Sequence, residues 1–390
     1  MTSSGYVYKP VLEEFDPSEP IDGEPSDYGG WYDPKWLMNA LLSGEFRLKD
    51  RHLQRSFIRW VRKEELSEFY NMRTAEMIYI PVPKRGNMAY VMNKASRRNE
   101  MIKAISDKVF DWPDPKNPAL RWTRMLFVTV TFDPKRLTQE KAWASIKSTG
   151  SRERHHLYGE INRLDANLSK IFGPHGKLLC KEAQSNGYPA PHMILVLDEP
   201  IQVRMINGKR GVKWVPVDET ILRRIGKDPE SRALCETDYS AGIDANPIWK
   251  NGFIDFEGIV SESRFRGRRS VVSYPFKYLT KCLTRDDAFS ASDIECIDDV
   301  KDPKLRTALY THYCNKCFRN RDITYGKGFR DRIGLLPPKK KEVALDENGE
   351  PVKSDWIRIG SVDKNEFLLS GRPRRLPGHT SDGPPNRHEK

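Results

Sequence analysis

The chain has no apolar run near the ~20 residues of a membrane-spanning helix, and its N-terminus has no signal-peptide core. A soluble, cytoplasmic protein with no membrane partner is therefore expected. Cysteine is scarce, with six in 390 residues and no spacing that suggests a disulfide scaffold, which fits a reducing compartment. Cys314-Asn-Lys-Cys317, preceded by His312, is the only C-x-x-C. A zinc site there would need further ligands such as Cys282 or Cys296, so structural zinc at Cys314 and Cys317 is not expected. No G-x-x-x-x-G-K-[ST] occurs, which removes motif support for a P-loop helicase. No internal repeat stands out.

What is present in excess is positive charge. Lysine and arginine number 66 against 54 aspartates and glutamates, a net charge of +12 with a pI near 9.3, which favours phosphate-rich partners through counterion release. Arg264, Arg266, Arg268 and Arg269 cluster around Phe265 and are candidate DNA-binding residues, and Lys339 to Lys341 and Arg372, Arg374 and Arg375 add basic groups toward the C-terminus. The opposite holds between residues 13 and 27, where Glu13, Glu14, Asp16, Glu19, Asp22, Glu24 and Asp27 occur without a basic residue. Residues 1–30 are accordingly expected to be disordered and acidic.

Hydrophobic periodicity divides the rest. Leu37, Leu41, Leu42, Leu53, Phe57, Trp60 and Val61 fit helical faces within residues 36–75, so 31–119 reads as a helical accessory region. Residues 125–134 read as a strand with Leu126, Val128, Val130 and Phe132 on one face and Thr129 and Thr131 on the other. A helix is expected over 151–171, with His155 and His156 at its start facing solvent. A strand pair is expected around Asn186-Gly187, a hairpin around Asn207-Gly208 within 201–217, and a strand over 253–260. A polar, Asp-rich insertion covers 285–301, and a helix is expected from about 303 to 318. The order implies an α+β layer of helices packed on an antiparallel sheet over residues 120–336. The basic, Pro- and Gly-rich segment 337–390 reads as a largely flexible tail.

Within this frame Tyr274-Pro-Phe-Lys277-Tyr278-Leu-Thr-Lys281 places two tyrosines four apart, each with a lysine three residues on. On a helix capped by Ser273 the tyrosines share one face. A phenol has a pKa of ~10, and a nearby ammonium favours its nucleophilic phenolate and can hold a phosphate. An amphipathic, half-buried Tyr/Lys stripe is the other reading of the same spacing.

Three blocks in order, Thr129-Val-Thr-Phe132, Gly187-Tyr-Pro-Ala-Pro-His192 and the tyrosine octad, resemble the motifs of rolling-circle replication initiators of the HUH endonuclease superfamily, in their two-tyrosine form. The resemblance covers about residues 120–335. It implies an RRM-like sheet and Tyr274 and Tyr278 as nucleophiles assisted by Lys277 and Lys281. It also implies a divalent metal, Mg²⁺ or Mn²⁺, held by His192 and Glu182. The implied activity is nicking of single-stranded origin DNA with a 5′-phosphotyrosine intermediate and a free 3′-OH, followed by rejoining. A host polymerase would extend that end, and a host helicase or supercoiling would separate the strands. One departure stands out: Ala190 occupies the position where the family has its first histidine. A strict two-residue Asn186-Gly187 turn would set Glu182 opposite residue 191 on the wrong face, so a three-residue loop or a bulge is required. A non-catalytic DNA- or RNA-binding protein with a degenerate site, and a relaxase or transposase of the same superfamily, are the alternatives.

Overall fold

The computed structural model describes residues 34–147, 159–208, 211–217, 249–261, 264–265, 269–277, 281, 283, 289, 294–326, 328–335 and 356–364. Two helices open the described chain, α1 (Pro34–Ser43) and α2 (Arg51–Arg62), the second started by Asp50, whose carboxylate accepts from the amides of His52 and Leu53. Strands β1 (Glu65–Asn71) and β2 (Met77–Pro81) follow, so the helical expectation for residues up to 75 is corrected at Glu65. β1 pairs with β2 on one side and on the other with β12 (Trp356–Asp363), Glu65 opposite Asp363 and Asn71 opposite Trp356, which makes a separate three-stranded sheet. β12 lies in the segment read as a flexible tail. Its pairing partner lies at the far end of the chain, where no local pattern announces it.

After α3 (Met88–Asp107) comes the main antiparallel sheet. It contains β3 (Asp111–Pro113), β4 (Leu120–Val130), β5 (His175–Ala183), β6 (Pro189–Gly208), β7 (Gly211–Pro216), β8 (Ile254–Gly258) and β11 (Ile323–Tyr325). The strand order is β11-β5-β6-β4-β3, with β7 added to β6 and β8 to β4. Helices α4 (Gln139–Ser145), α5 (Glu160–Phe172), α6 (Pro303–Cys317) and the short α7 (Phe329–Arg332) complete an α+β architecture. Of the helix expected over 151–171, the described part starts at Glu160, after Gly159 with φ 104°; His155 and His156 lie outside the described residues. The hairpin expected around Asn207-Gly208 turns two residues later. Asn207 pairs with Val212 and Gly208 with Gly211, because the register that packs Val203, Trp214 and Val215 into the core carries the ladder past Asn207.

Alternation along the strands gives the sheet two unlike faces. One buries Leu126, Val128 and Val130 of β4, Leu179 of β5 and Met193, Leu195 and Leu197 of β6 against α1, α2, α4, α5 and α6. Residues on both sides of position 119 share this one cluster, among them Leu37, Phe57, Leu126 and Tyr313. The other face carries Met125, Phe127, Leu178, Cys180, Ile194 and Val196, packed against Met101 and Ile105 of α3, Val272, Phe276 and Phe329. No helix among the described residues is long and apolar enough to cross a membrane.

Candidate functional site

The second face holds the residues that the three motifs single out, and its geometry starts at the β5–β6 loop. Gln184 and Tyr188 still exchange a backbone bond, Gln184 N donating to Tyr188 O at 2.7 Å, so the loop consists of Ser185, Asn186 and Gly187. This is the three-residue loop that the register required. Gly187 has φ 85°, and a Cβ there would lie 2.0 Å from Gln139 Nε2 and 2.9 Å from the Tyr310 ring, so only glycine fits. Two side chains of α4 pin the turn: Trp143 Nε1 donates to Gly187 O at 2.8 Å and Gln139 Nε2 to Asn186 O at 2.8 Å. The result pairs Glu182 with Ala190 and Cys180 with His192, which puts all four on one face.

There the His192 Nε2 lies 3.5 Å from Glu182 Oε2, and its Nδ1 lies 3.1 Å from Thr129 Oγ1 on β4. Phe127 stacks on the imidazole, with centroids 5.4 Å apart and planes 17° from parallel. The ring is therefore fixed by a hydroxyl on one nitrogen and an aromatic on its face, with the second nitrogen aimed at a carboxylate. Thr129 in turn pairs with Asp255 and Phe127 with Glu257 on β8, extending the polar row across four strands. Asp255 accepts from Lys213 Nζ at 2.7 Å. Burial pushes the Glu257 carboxyl up to about 7, with Lys213 opposing and Asp255 adding to the shift. Burial and then the Glu182 charge likewise push the Cys180 thiol well up, which removes it as a thiolate ligand at neutral pH.

Tyr274 closes the cluster. Its ring meets His192 edge-on at 5.4 Å and Phe127 edge-on at 6.1 Å, and Lys277 Nζ sits 5.9 Å from the ring centre. The backbone here is a 3-10 turn, Val271–Phe276, rather than the expected α-helix, and Ser273 lies inside it rather than at its cap. Pro275 accounts for the difference: it has no N–H to donate to Val271 O and its ring crowds that carbonyl, which disfavours an α-helical turn across it. Val272 and Phe276 anchor the turn in the second core. Tyr278 lies outside the described residues. The Lys281 carbonyl accepts from His312 Nε2 at 3.3 Å. Arg264 and Arg269 fall in a two-stranded ribbon, β9 (Arg264–Phe265) and β10 (Arg269–Ser270), immediately before the turn, while Arg266 and Arg268 lie outside the described residues. Cys314 and Cys317 are fully buried in α6, within the first core.

The donor set at the His192–Glu182 contact is one imidazole nitrogen and one carboxylate. Such a pair fits a hard divalent ion that keeps most of its water, and Ala190, which pairs with Glu182, adds no third donor. Among the described residues no group of three or more His, Cys, Asp or Glu converges. Sequence reasoning found His192, Glu182 and Tyr274 but not the parts played by Thr129, Phe127, Asp255 and Glu257. Their signal was parity along β4 and β8, readable only once the strand register was known. Comparison with protein-family models, curated proteins and solved structures finds no match.

Proposed function

We propose that the protein nicks and rejoins single-stranded DNA by tyrosine attack, in the manner of the replication initiators that its three motifs resemble, on an RRM-like sheet. The observation that carries this reading is the convergence of Tyr274 on the paired His192 and Glu182. His192 and Glu182 would hold the divalent metal, which polarises a phosphate oxygen when bound. The Tyr274 oxygen attacks phosphorus, the bond to the 3′ oxygen breaks, and the phenol proton is exchanged for one on the departing 3′-OH. Lys277 favours the phenolate and the phosphate charge. The 5′-phosphotyrosine keeps a diester linkage, so a later attack by a 3′-OH reseals the strand without a nucleotide cofactor. His192 and Glu182 are only 7% and 2% exposed, so a phosphate reaches them when the Tyr274 ring swings off the imidazole. Tyr278, Lys281 and the arginines at 264, 266, 268 and 269 complete the proposal as second nucleophile, second ammonium and strand contacts.

Ala190, standing beside Glu182 where the resemblance calls for histidine, favours a second reading: a non-catalytic nucleic-acid-binding protein. The two are separated by incubating the chain with single-stranded origin DNA and Mn²⁺, then running a denaturing gel. Cleavage predicts a protein-linked band that disappears with EDTA and with His192→Ala. Retained binding without any linked band under these conditions supports the second reading.

A further inference from the structure

At the far end of β4 from Thr129, the sheet presents aromatic rings to solvent. Phe110 is 69% exposed, and its ring lies 5.5 Å from that of Trp112, at 39°. Trp112 on edge strand β3 pairs directly with Trp122 on β4, so both side chains stand on one face, and Gln202 of β6 continues the row. Asp114 holds the row rigid. One of its oxygens accepts from Trp122 Nε1 at 2.9 Å and from Gln202 Nε2 at 2.6 Å, while the other caps the β3–β4 turn through the amides of Lys116 and Asn117. Exposing a large ring to water is unfavourable, and spending a buried carboxylate to fix the indole beside it does not serve the core.

The charges around these rings have one dominant sign. Lys108, Lys116, Arg124 and Arg204 are all exposed, within a few residues of Phe110, Trp112, Trp122 and Gln202. Asp111 is tied to Arg121 and to the Ser261 amide, and Asp198 to Arg332, which leaves Asp107 and Glu199 as the nearest exposed acids against four cations. Flat rings on an open sheet, flanked by arginine and lysine, are the arrangement on which unpaired bases stack while the cations follow the phosphates. A duplex keeps its bases stacked on one another and offers nothing to these rings, whereas a strand with unpaired bases matches both the rings and the cations.

We infer that Phe110, Trp112 and Trp122 form a stacking platform for single-stranded nucleic acid, about 23 Å along β4 from the His192 cluster. The platform shares with the proposed function the choice of a nucleic-acid partner but does not depend on cleavage. β4 would then grip a strand at its N-terminal end and present Thr129 and Phe127 to it at the other.

The test is fluorescence anisotropy of the full chain with a labelled oligothymidylate of about 12 nucleotides, without added divalent metal. Phe110→Ala should weaken binding about fivefold to a hundredfold and leave the salt dependence unchanged, because a stacked base and not a phosphate contact is lost. Phe110→Tyr should retain wild-type affinity. Arg124→Ala should instead lower the log-log salt slope by about 0.7. Equal affinity of wild type and Phe110→Ala overturns the platform, as does failure of the wild-type chain to bind the oligonucleotide, which would assign the patch to a protein. A platform confirmed in a chain that forms no protein-linked band would leave this inference standing and remove the nicking activity alone.

Discussion

The two faces of the central sheet are made by the same strands yet treat the same residue types differently. Tyr310 and Tyr313 lie on the helix-packed face with no exposure, and burial drives both phenols far above their ordinary pKa, with Asp298 adding to the shift of Tyr310. Tyr274 on the other face is half-buried, meets an imidazole and has an ammonium nearby. A fully buried phenol, or one that donates to a carboxylate as Tyr310 does to Asp298, is held in its protonated form, whereas one beside an imidazole and a lysine is better placed to attack. Polar groups follow the same division. On the first face Gln54 ties helix to loop, donating to Leu48 O and the Tyr310 hydroxyl and accepting from the Ile297 amide and the Cys296 thiol. On the second, Glu182, His192, Thr129 and Asp255 run across adjacent strands as side chains facing side chains.

The contrast is tested most sharply at Thr129. Replacing it with valine keeps the shape and removes the one hydroxyl on His192 Nδ1, so metal-dependent cleavage should fall about 10- to 100-fold. Thr129→Ser should restore most of it. Single-turnover rates at saturating Mn²⁺ check this, and a Thr129→Val rate equal to wild type would show that the imidazole is oriented by Phe127 alone.

Next in size is the loop that sets the register. Gly187→Ala puts a Cβ into Gln139 and Tyr310 at a left-handed φ, so unfolding free energy should drop by about 1–3 kcal/mol. Urea titration measures it. A chain that loses no stability would mean the turn relaxes freely, and the alignment of Glu182 with Ala190 and His192 would then be a loose one.

A further test concerns pH. Glu257 has its folded pKa raised to about 7, above the ordinary carboxylate value of ~4.3, so the folded state binds the extra proton between them. Its stabilising contribution is complete below pH ~4.3 and is lost as pH rises through about 7, with a slope of at most ~1.4 kcal/mol per pH unit. Glu257→Gln should flatten the stability profile in that window. A profile that keeps its slope would place the titration on another group.

Much of this division could be read in the residues beforehand, and the missing parts have physical reasons. The alternation of Leu126, Val128 and Val130 against Thr129 is local, so the strand and its faces were legible. The order of the three motifs singled out His192, Glu182 and Tyr274, but not whether Glu182 would meet the imidazole. That depended on the Ser185-Asn186-Gly187 loop, whose length is set by tertiary bonds from Trp143 and Gln139 rather than by its own sequence. Glu65–Asn71 was read as helix although one ladder partner, Met77–Pro81, is close in sequence, because the other, Trp356–Asp363, lies at the far end of the chain. The 3-10 turn at Tyr274 was decided by Pro275, a signal that was present and was given too little weight against the helical spacing of the tyrosines.

The two-face division is tested most directly by mapping the covalent bond. The full chain is incubated with single-stranded origin DNA and Mn²⁺ and digested with nuclease and protease, and the nucleotide-bearing residue is read by tandem mass spectrometry. The nucleotide should be found on Tyr274, and in Tyr274→Phe it should pass to Tyr278 or vanish. A nucleotide on Tyr310 or Tyr313, or bound DNA with no modified tyrosine at all, would contradict the assignment of chemistry to the His192 face.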